Sequence, residues 1–291
     1  MFFDMHTELI KPYQKDAALL ADIASVEKDR GLFHVWWLGQ SGFLISWQGQ
    51  RLLFDPYLSD SLTRKYADTD KPHVRMTEQV IAPEQLPSIE LVTSSHNHTD
   101  HLDKETLRSI MGCSPALEMI VPEANRAFVA DRLEVAHDWP QGLCAGESRC
   151  FSSFELHAVP AAHEGLDCDA HGRNKYLGYV VRFGSWTVYH SGDTVIFDGM
   201  ERLLQQWSID LALLPINGRL PERRVAGNMW GSEAAELGKA IGAACVIPCH
   251  YDMFAFNTET PRDFLETCES LGQTCKVLRA GERWSSPAVS V

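Results

Sequence analysis

The sequence predicts an α/β sandwich in which two sheets pack face to face with helices outside, all within one domain spanning residues 1–291. Three observations predict it. A hairpin that ends near an aspartate occurs in each half of the chain. Helical segments stand between and after the strands. No Pro/Gly/Ser-rich linker separates the halves. At 45% hydrophobic residues, the chain can bury a substantial core and does not read as disordered.

The elements follow in order. An apolar stripe at Ala18, Leu19, Leu20, Ala21 and Ile23 predicts a helix over 14–29. Strands are expected at Phe33–Leu38, Gly42–Trp47 and Arg51–Phe54, with Gln48 and Gly49 turning the last two. The hairpin from Gly42 leads to Asp55, and a similar one from Gly178 leads toward Asp193. Downstream, Ser88-Ile-Glu-Leu-Val-Thr93 resembles Ser208-Ile-Asp-Leu-Ala-Leu213, and Met119-Ile-Val-Pro122 resembles Cys245-Val-Ile-Pro248. Three matched elements in the same order point to an internal duplication. Further helices are expected at Leu102–Met111, Glu123–Arg132, Asp198–Trp207, Ser232–Ile241 and Pro261–Leu271, with Ser232, Glu233 and Glu236 giving a capping signal. Residues 57–87 read as a polar insertion broken by prolines, and 164–175 as a polar loop.

The formal net charge of −13 argues against nucleic acid or an anionic membrane as partner. No basic start followed by an apolar run and a cleavage site opens the chain, and no window approaches the ~18 apolar residues of a membrane span. A cytoplasmic protein is expected, with its eight cysteines as reduced thiols. A homo-oligomer is left open.

Chemistry concentrates in Ser94-Ser-His-Asn-His-Thr-Asp-His-Leu-Asp103. His96, His98, Asp100 and His101 follow directly on an apolar strand, and such a cluster is costly to bury unless something pairs with it. Imidazole and carboxylate are ligands for zinc and its neighbours. His96 and His98 lie two apart on extended chain and can face one ion, while Asp100 and His101, after the chain turns, can face a second. Asp55, in Phe54-Asp-Pro-Tyr57, is placed to orient a metal-bound imidazole or to initiate a turn.

His-x-His-x-Asp-His resembles the signature of the metallo-β-lactamase superfamily. The resemblance implies a four-layer αββα sandwich and later ligands at His163, Asp193 and His250. It implies His96, His98 and His163 on one divalent ion, Asp100, His101 and His250 on a second, and Asp193 bridging. Two such ions would share a bridging hydroxide as nucleophile, with Asp100 orienting it. Zinc is favoured, and manganese or iron fits the same nitrogen and oxygen set. His190, beside the Asp193 loop, is a further catalytic candidate.

Finer likeness, in Val35-Trp-Trp-Leu-Gly-Gln-Ser-Gly42, Tyr189-His-Ser-Gly-Asp193, Ile247-Pro-Cys-His-Tyr-Asp-Met-Phe254 and Asn217-Gly-Arg219, is to the L-ascorbate-6-phosphate lactonase group. That group carries an aspartate where His163 stands here. Ser-His-Asn-His also resembles the phosphodiesterase branch that cleaves N-acyl phosphatidylethanolamine, which is the alternative. A non-enzymatic metal-binding protein is the third reading. The expected partner is a small anionic substrate such as a phosphorylated sugar lactone, held by Lys65, Arg75, Asn217 and Arg219.

Overall fold

A computed structural model describes residues 8–288. The first seven residues, part of the stretch read for a leader, lie outside them. Helix α1 forms over Asp16–Ser25, shorter than its periodic pattern, and buries only Leu19 and Ile23 fully. The chain leaves it through a turn in which the Asp29 carboxylate accepts from the Gly31 and Leu32 N–H groups.

The first sheet begins with β1 (Phe33–Gly39), β2 (Gly42–Trp47) and β3 (Gln50–Phe54), an antiparallel meander. After α2 (Ser61–Lys65) come β4 (Leu91–Thr93), α3 (Lys104–Cys113), β5 (Glu118–Pro122), α4 (Arg126–Leu133) and β6 (Gln141–Leu143). From β3 to β6 neighbouring strands run parallel. The second sheet holds β7 (Ser148–Phe151), β8 (Phe154–Pro160), β9 (Leu177–Phe183) and β10 (Trp186–His190), all antiparallel neighbours. After α5 (Met200–Leu204), β11 (Leu211–Pro215), α6 (Gly231–Ala240) and β12 (Cys245–Cys249) extend it in parallel. Helix α7 (Arg262–Leu271) packs on α6, and β13 (Arg283–Ser285) closes the first sheet beside β1.

The duplication is visible in the topology. In β1–β5 and again in β8–β12, two antiparallel pairings are followed by two parallel ones. The matched sequence blocks occupy equivalent strands, with β2–β3 answering β9–β10, β4 answering β11 and β5 answering β12. Central strand β11 is buried along its whole length between parallel neighbours, which is why it reads as an unbroken apolar run. Between the sheets, Phe33 meets Phe183 edge-on at 5.2 Å and Trp186 at 5.1 Å. Each ring so buried contributes about 1.5–3 kcal/mol.

Two expectations are corrected. The 57–87 insertion is not polar throughout, because Tyr57, Leu58, Leu62, Val80, Ile81 and Leu86 are buried in it. The cap of α6 is not Ser232. The Glu233 carboxylate turns back to accept from the Trp230 N–H at 2.8 Å, and the Ser232 N–H goes to Asp263.

Candidate metal centre

The parallel strands put the carboxyl ends of β3, β4, β10, β11 and β12 at one edge, and β8, two antiparallel steps from β10, points the same way. Asp55 follows β3, the His96–His101 run follows β4, His163 follows β8, Asp193 follows β10 and His250 follows β12. The two halves are clamped there. The Leu177 N–H donates to the Ser95 carbonyl at 3.1 Å, and the Tyr179 hydroxyl to the Ser94 carbonyl at 3.2 Å. Gly192, at φ +60°, lies so close that a Cβ would stand 2.6 Å from the Ser95 Cβ, so this approach requires glycine.

Asp55 is completely buried and accepts from Thr93 Oγ1 at 2.8 Å, the Ser95 N–H at 3.1 Å, Ser95 Oγ and His101 Nδ1 at 2.8 Å. A carboxylate only accepts, so His101 donates from Nδ1 and leaves Nε2 facing the centre, where its lone pair would be free for an ion. His163 follows the same logic, with Nδ1 donating to the Gly227 carbonyl at 3.0 Å. Ser95 Oγ gives its proton to Asp55 and therefore accepts from His96 Nδ1 at 3.0 Å, which frees His96 Nε2 as well.

The freed atoms converge. Asp193 Oδ1 lies 3.2 Å from His101 Nε2, and its Oδ2 lies 3.3 Å from His250 Nε2 and 3.7 Å from His163 Nε2. Asp100 Oδ2 lies 3.5 Å from His250 Nε2. Donor atoms fall within 4.8 Å of one another in three overlapping sets: His96, His98 and His163; His96, His101 and Asp193; Asp100, His101 and His250. His96 Nε2, His101 Nε2 and Asp193 Oδ1 are buried without a hydrogen-bond partner. Orphaned atoms of this kind are costly, and divalent cations would satisfy them. The residues present fit such ions.

Without ions, charge is shared among the ligands. Burial works against a charged His101, but the Asp193 and Asp100 carboxylates outweigh it and hold its pKa well above the ordinary value. His250 is likewise opposed by burial yet raised to about 9 by Asp193 and Asp100. His163 is pushed down to about 4, chiefly by burial.

Beside these ligands opens a cavity of about 320 Å³. Asp100, Asp193, His98, His163 and His250 form one side of it, and Leu62, Lys65, Tyr66, His73, Phe254 and Phe256 form another. The structure thus brings the seven proposed ligands and Lys65 together. It does not bring the remaining candidates. Arg219 is held away by a two-pronged pair with Glu233, both contacts at 2.6 Å. Arg75 is tied to Asp60 Oδ1 at 2.6 Å and to the carbonyls of Ser59 and Thr77, bracing the insertion. Asn217 is buried against Asn228 and Asn257. His190 does not face the centre: it stacks on Phe54 at 4.6 Å and its Nε2 donates to the Ser41 carbonyl at 3.0 Å.

Residues not named as site candidates from the sequence stand close by, Gln40 among them although it lies within the Val35–Gly42 likeness. Gln40 Nε2 donates to Asp100 Oδ2 at 2.8 Å. The Tyr176 ring packs 5.1 Å from His96 and 5.5 Å from His163. Arg132 lines the cavity, stacks on Phe128 and donates to the Asn97 and Leu102 carbonyls of the ligand loop.

Residues 50–251 match the model of the Beta-lactamase superfamily domain. A UPF0173 metal-dependent hydrolase of Pelotomaculum thermopropionicum is 31% identical over 253 residues, covering 85% of this chain and 97% of that one. The chain belongs to the UPF0173 metal-dependent hydrolase family of the metallo-β-lactamase superfamily. Solved structures agree on the fold. Igni18, a metallo hydrolase from Ignicoccus hospitalis, superposes with a TM-score of 0.65 at 21% identity, covering 88% of this chain and 99% of that one. An isothiocyanate hydrolase from Delia radicum gut bacteria does so with a TM-score of 0.69 at 17% identity, covering 88% and 100%. This UPF0173 family member has, among its described residues, no helix long and apolar enough to cross a membrane.

Proposed function

We propose that this protein is a hydrolase that uses two divalent ions to open a small anionic lactone or related ester. One observation carries the reading: buried, partnerless donor atoms converge beside a cavity lined by two cations, Lys65 and Arg132, that pair with no carboxylate among the described residues. In a chain of net charge −13, most arginines are neutralised by acidic neighbours, so unpaired cations in one cleft focus a positive field there. The volume of about 320 Å³ is at the small end for small-molecule sites and suits a compact substrate.

Two divalent ions supply Lewis acidity toward the scissile carbonyl and a water that ionises near neutral pH. Zinc is preferred because His96, His98 and His163 make a three-histidine set. The chain's own residues do the rest. Asp100 is held through Oδ2 by Gln40, which leaves Oδ1 to orient the attacking water and take its proton. Lys65 and Arg132 hold the anionic group. Tyr176 covers the histidines and limits the approach of bulk water.

The phosphodiesterase reading ranks second, and the aromatic side of the cavity favours it, since such a surface suits an acyl chain. Chelated protein reloaded with zinc, manganese or iron, assayed in parallel on sugar lactones and bis-p-nitrophenyl phosphate, tests both. Faster lactone turnover is expected, with Asp193→Ala losing most of its metal. The opposite ranking selects the phosphodiesterase, and full activity after chelation sinks both.

A further inference from the structure

His73 sits on the side of the cavity facing the metal ligands, and no part of the proposed chemistry uses it. Its ring is fixed by three aromatic neighbours: stacked on Tyr66 at 4.1 Å, and edge-on to Phe256 at 4.5 Å and to Phe254 at 5.3 Å. Its Nδ1 lies 3.1 Å from the Lys71 carbonyl oxygen. A carbonyl only accepts, so Nδ1 carries the proton and the neutral ring keeps a lone pair on Nε2. The one polar atom the ring has left for the cavity is therefore an acceptor, and Nε2 has no hydrogen-bond partner among the described residues.

We propose that His73 Nε2 accepts a hydrogen bond from a hydroxyl group of the substrate and so makes the enzyme select hydroxylated lactones over their deoxy counterparts. The charged groups that bear on the ring are Asp100, Lys71 and Lys65, and burial among the aromatics keeps the neutral form dominant by lowering the pKa. A neutral imidazole of fixed tautomer is a selective element. It cannot donate from Nε2, so it rejects a carbonyl or ether oxygen placed there and rewards a hydroxyl. A site built around a hydroxyl disfavours the analogue that lacks it, because the acceptor beside the bound ring then loses its partner. The aromatic faces suit the C–H surface of a compact ring, while Lys65 and Arg132 take its anionic group. This inference rests on the reading of the cavity as the substrate site of a hydrolase.

The test compares α-hydroxy-γ-butyrolactone with γ-butyrolactone on zinc-loaded wild type, His73→Phe and His73→Gln. Phenylalanine keeps the stacking and lacks the acceptor, and glutamine restores one. Wild type should prefer the hydroxylated lactone in kcat/KM by roughly tenfold, the size of one hydrogen bond. The preference should vanish in His73→Phe and partly return in His73→Gln, with metal content and Tm as checks on folding. A wild type without preference, or a His73→Phe that keeps it, overturns the proposal. Should no lactone or ester be turned over, the hydrolase reading falls, and the ring is then decided by its 15N resonances. An Nε2 signal that moves upfield with the hydroxylated lactone and not with the deoxy one upholds the proposal. An Nε2–H tautomer, or equal response to both, overturns it.

Discussion

Gln40 and His250 meet at two points: the His250 N–H donates to the Gln40 carbonyl at 2.9 Å, and Gln40 Nε2 lies 3.0 Å from His250 Nε2. Both residues occupy the left-handed region, at φ 50° and 63°, which costs of order 1–3 kcal/mol each where a side chain is present. The same amide donates to Asp100, so Gln40 holds one ligand by its carbonyl and aims another by its side chain. Gln40→Ala should weaken metal binding by roughly 10–100-fold, the usual effect of removing a group that orients a ligand. Competition against a graded series of chelators measures it, and an unchanged affinity would show that Gln40 only shapes the hairpin.

Asp55 serves stability as much as aim. Asp55→Ala leaves Thr93 Oγ1, the Ser95 N–H and His101 Nδ1 as buried donors without an acceptor. A loss of about 3 kcal/mol is expected from the urea midpoint of the ion-free protein. Asp55→Asn should recover part of it, since one amide oxygen still accepts.

Arg132 and Arg219 should behave in opposite ways. Arg132→Leu is expected to raise KM for an anionic lactone at least tenfold and to leave an uncharged analogue little affected. Arg219→Ala should leave both substrates alone and cost within about 1 kcal/mol of stability, because its pair with Glu233 is solvent-accessible. Equal KM values for Arg132→Leu and wild type would remove the anion site.

Ion-free protein should be most thermostable near pH 6.5. His250 has a folded pKa raised from 6.5 to about 9, so its contribution is complete below 6.5 and is lost as pH climbs toward 9. His163 has a folded pKa lowered from 6.5 to about 4, so its neutral form supports the fold above 6.5 and that support is lost as pH falls toward 4. Loading with ions should flatten the alkaline side, because Nε2 of His250 then has a permanent partner. Tm scans with and without chelator test this, and an ion-free Tm that rises from pH 6.5 to 9 contradicts it.

What the sequence disclosed follows from what is local. His96, His98, Asp100 and His101 lie within one turn of chain, and their spacing alone brings them together. The duplicated strand pattern likewise located the edge at which the later ligands emerge. Gln40 and Arg132 carried no such signal, since they reach Asp100 and the ligand loop from sixty and about thirty residues away, distances that only the sheet order shortens. His190 was misplaced by proximity. Strand β10 points that ring between the sheets onto Phe54, and the chain turns through Gly192 before Asp193 reaches the centre. Arg219 was misplaced for want of a partner, because Glu233 becomes its neighbour only when α6 forms.

The aromatic wall has its own small core. Tyr57, Leu62, Met253 and Phe254 pack together apart from the main hydrophobic interior, and Arg75 clasps the insertion by way of Asp60. Two stretches of chain, one before the ligand loop and one after His250, thus form a wall with packing of its own, while Leu58, Val80, Ile81 and Leu86 root the insertion in the main interior. Changes of substrate preference therefore need not disturb the reactive machinery. Substitutions within that small cluster should reshape the wall while the histidines and aspartates keep their places.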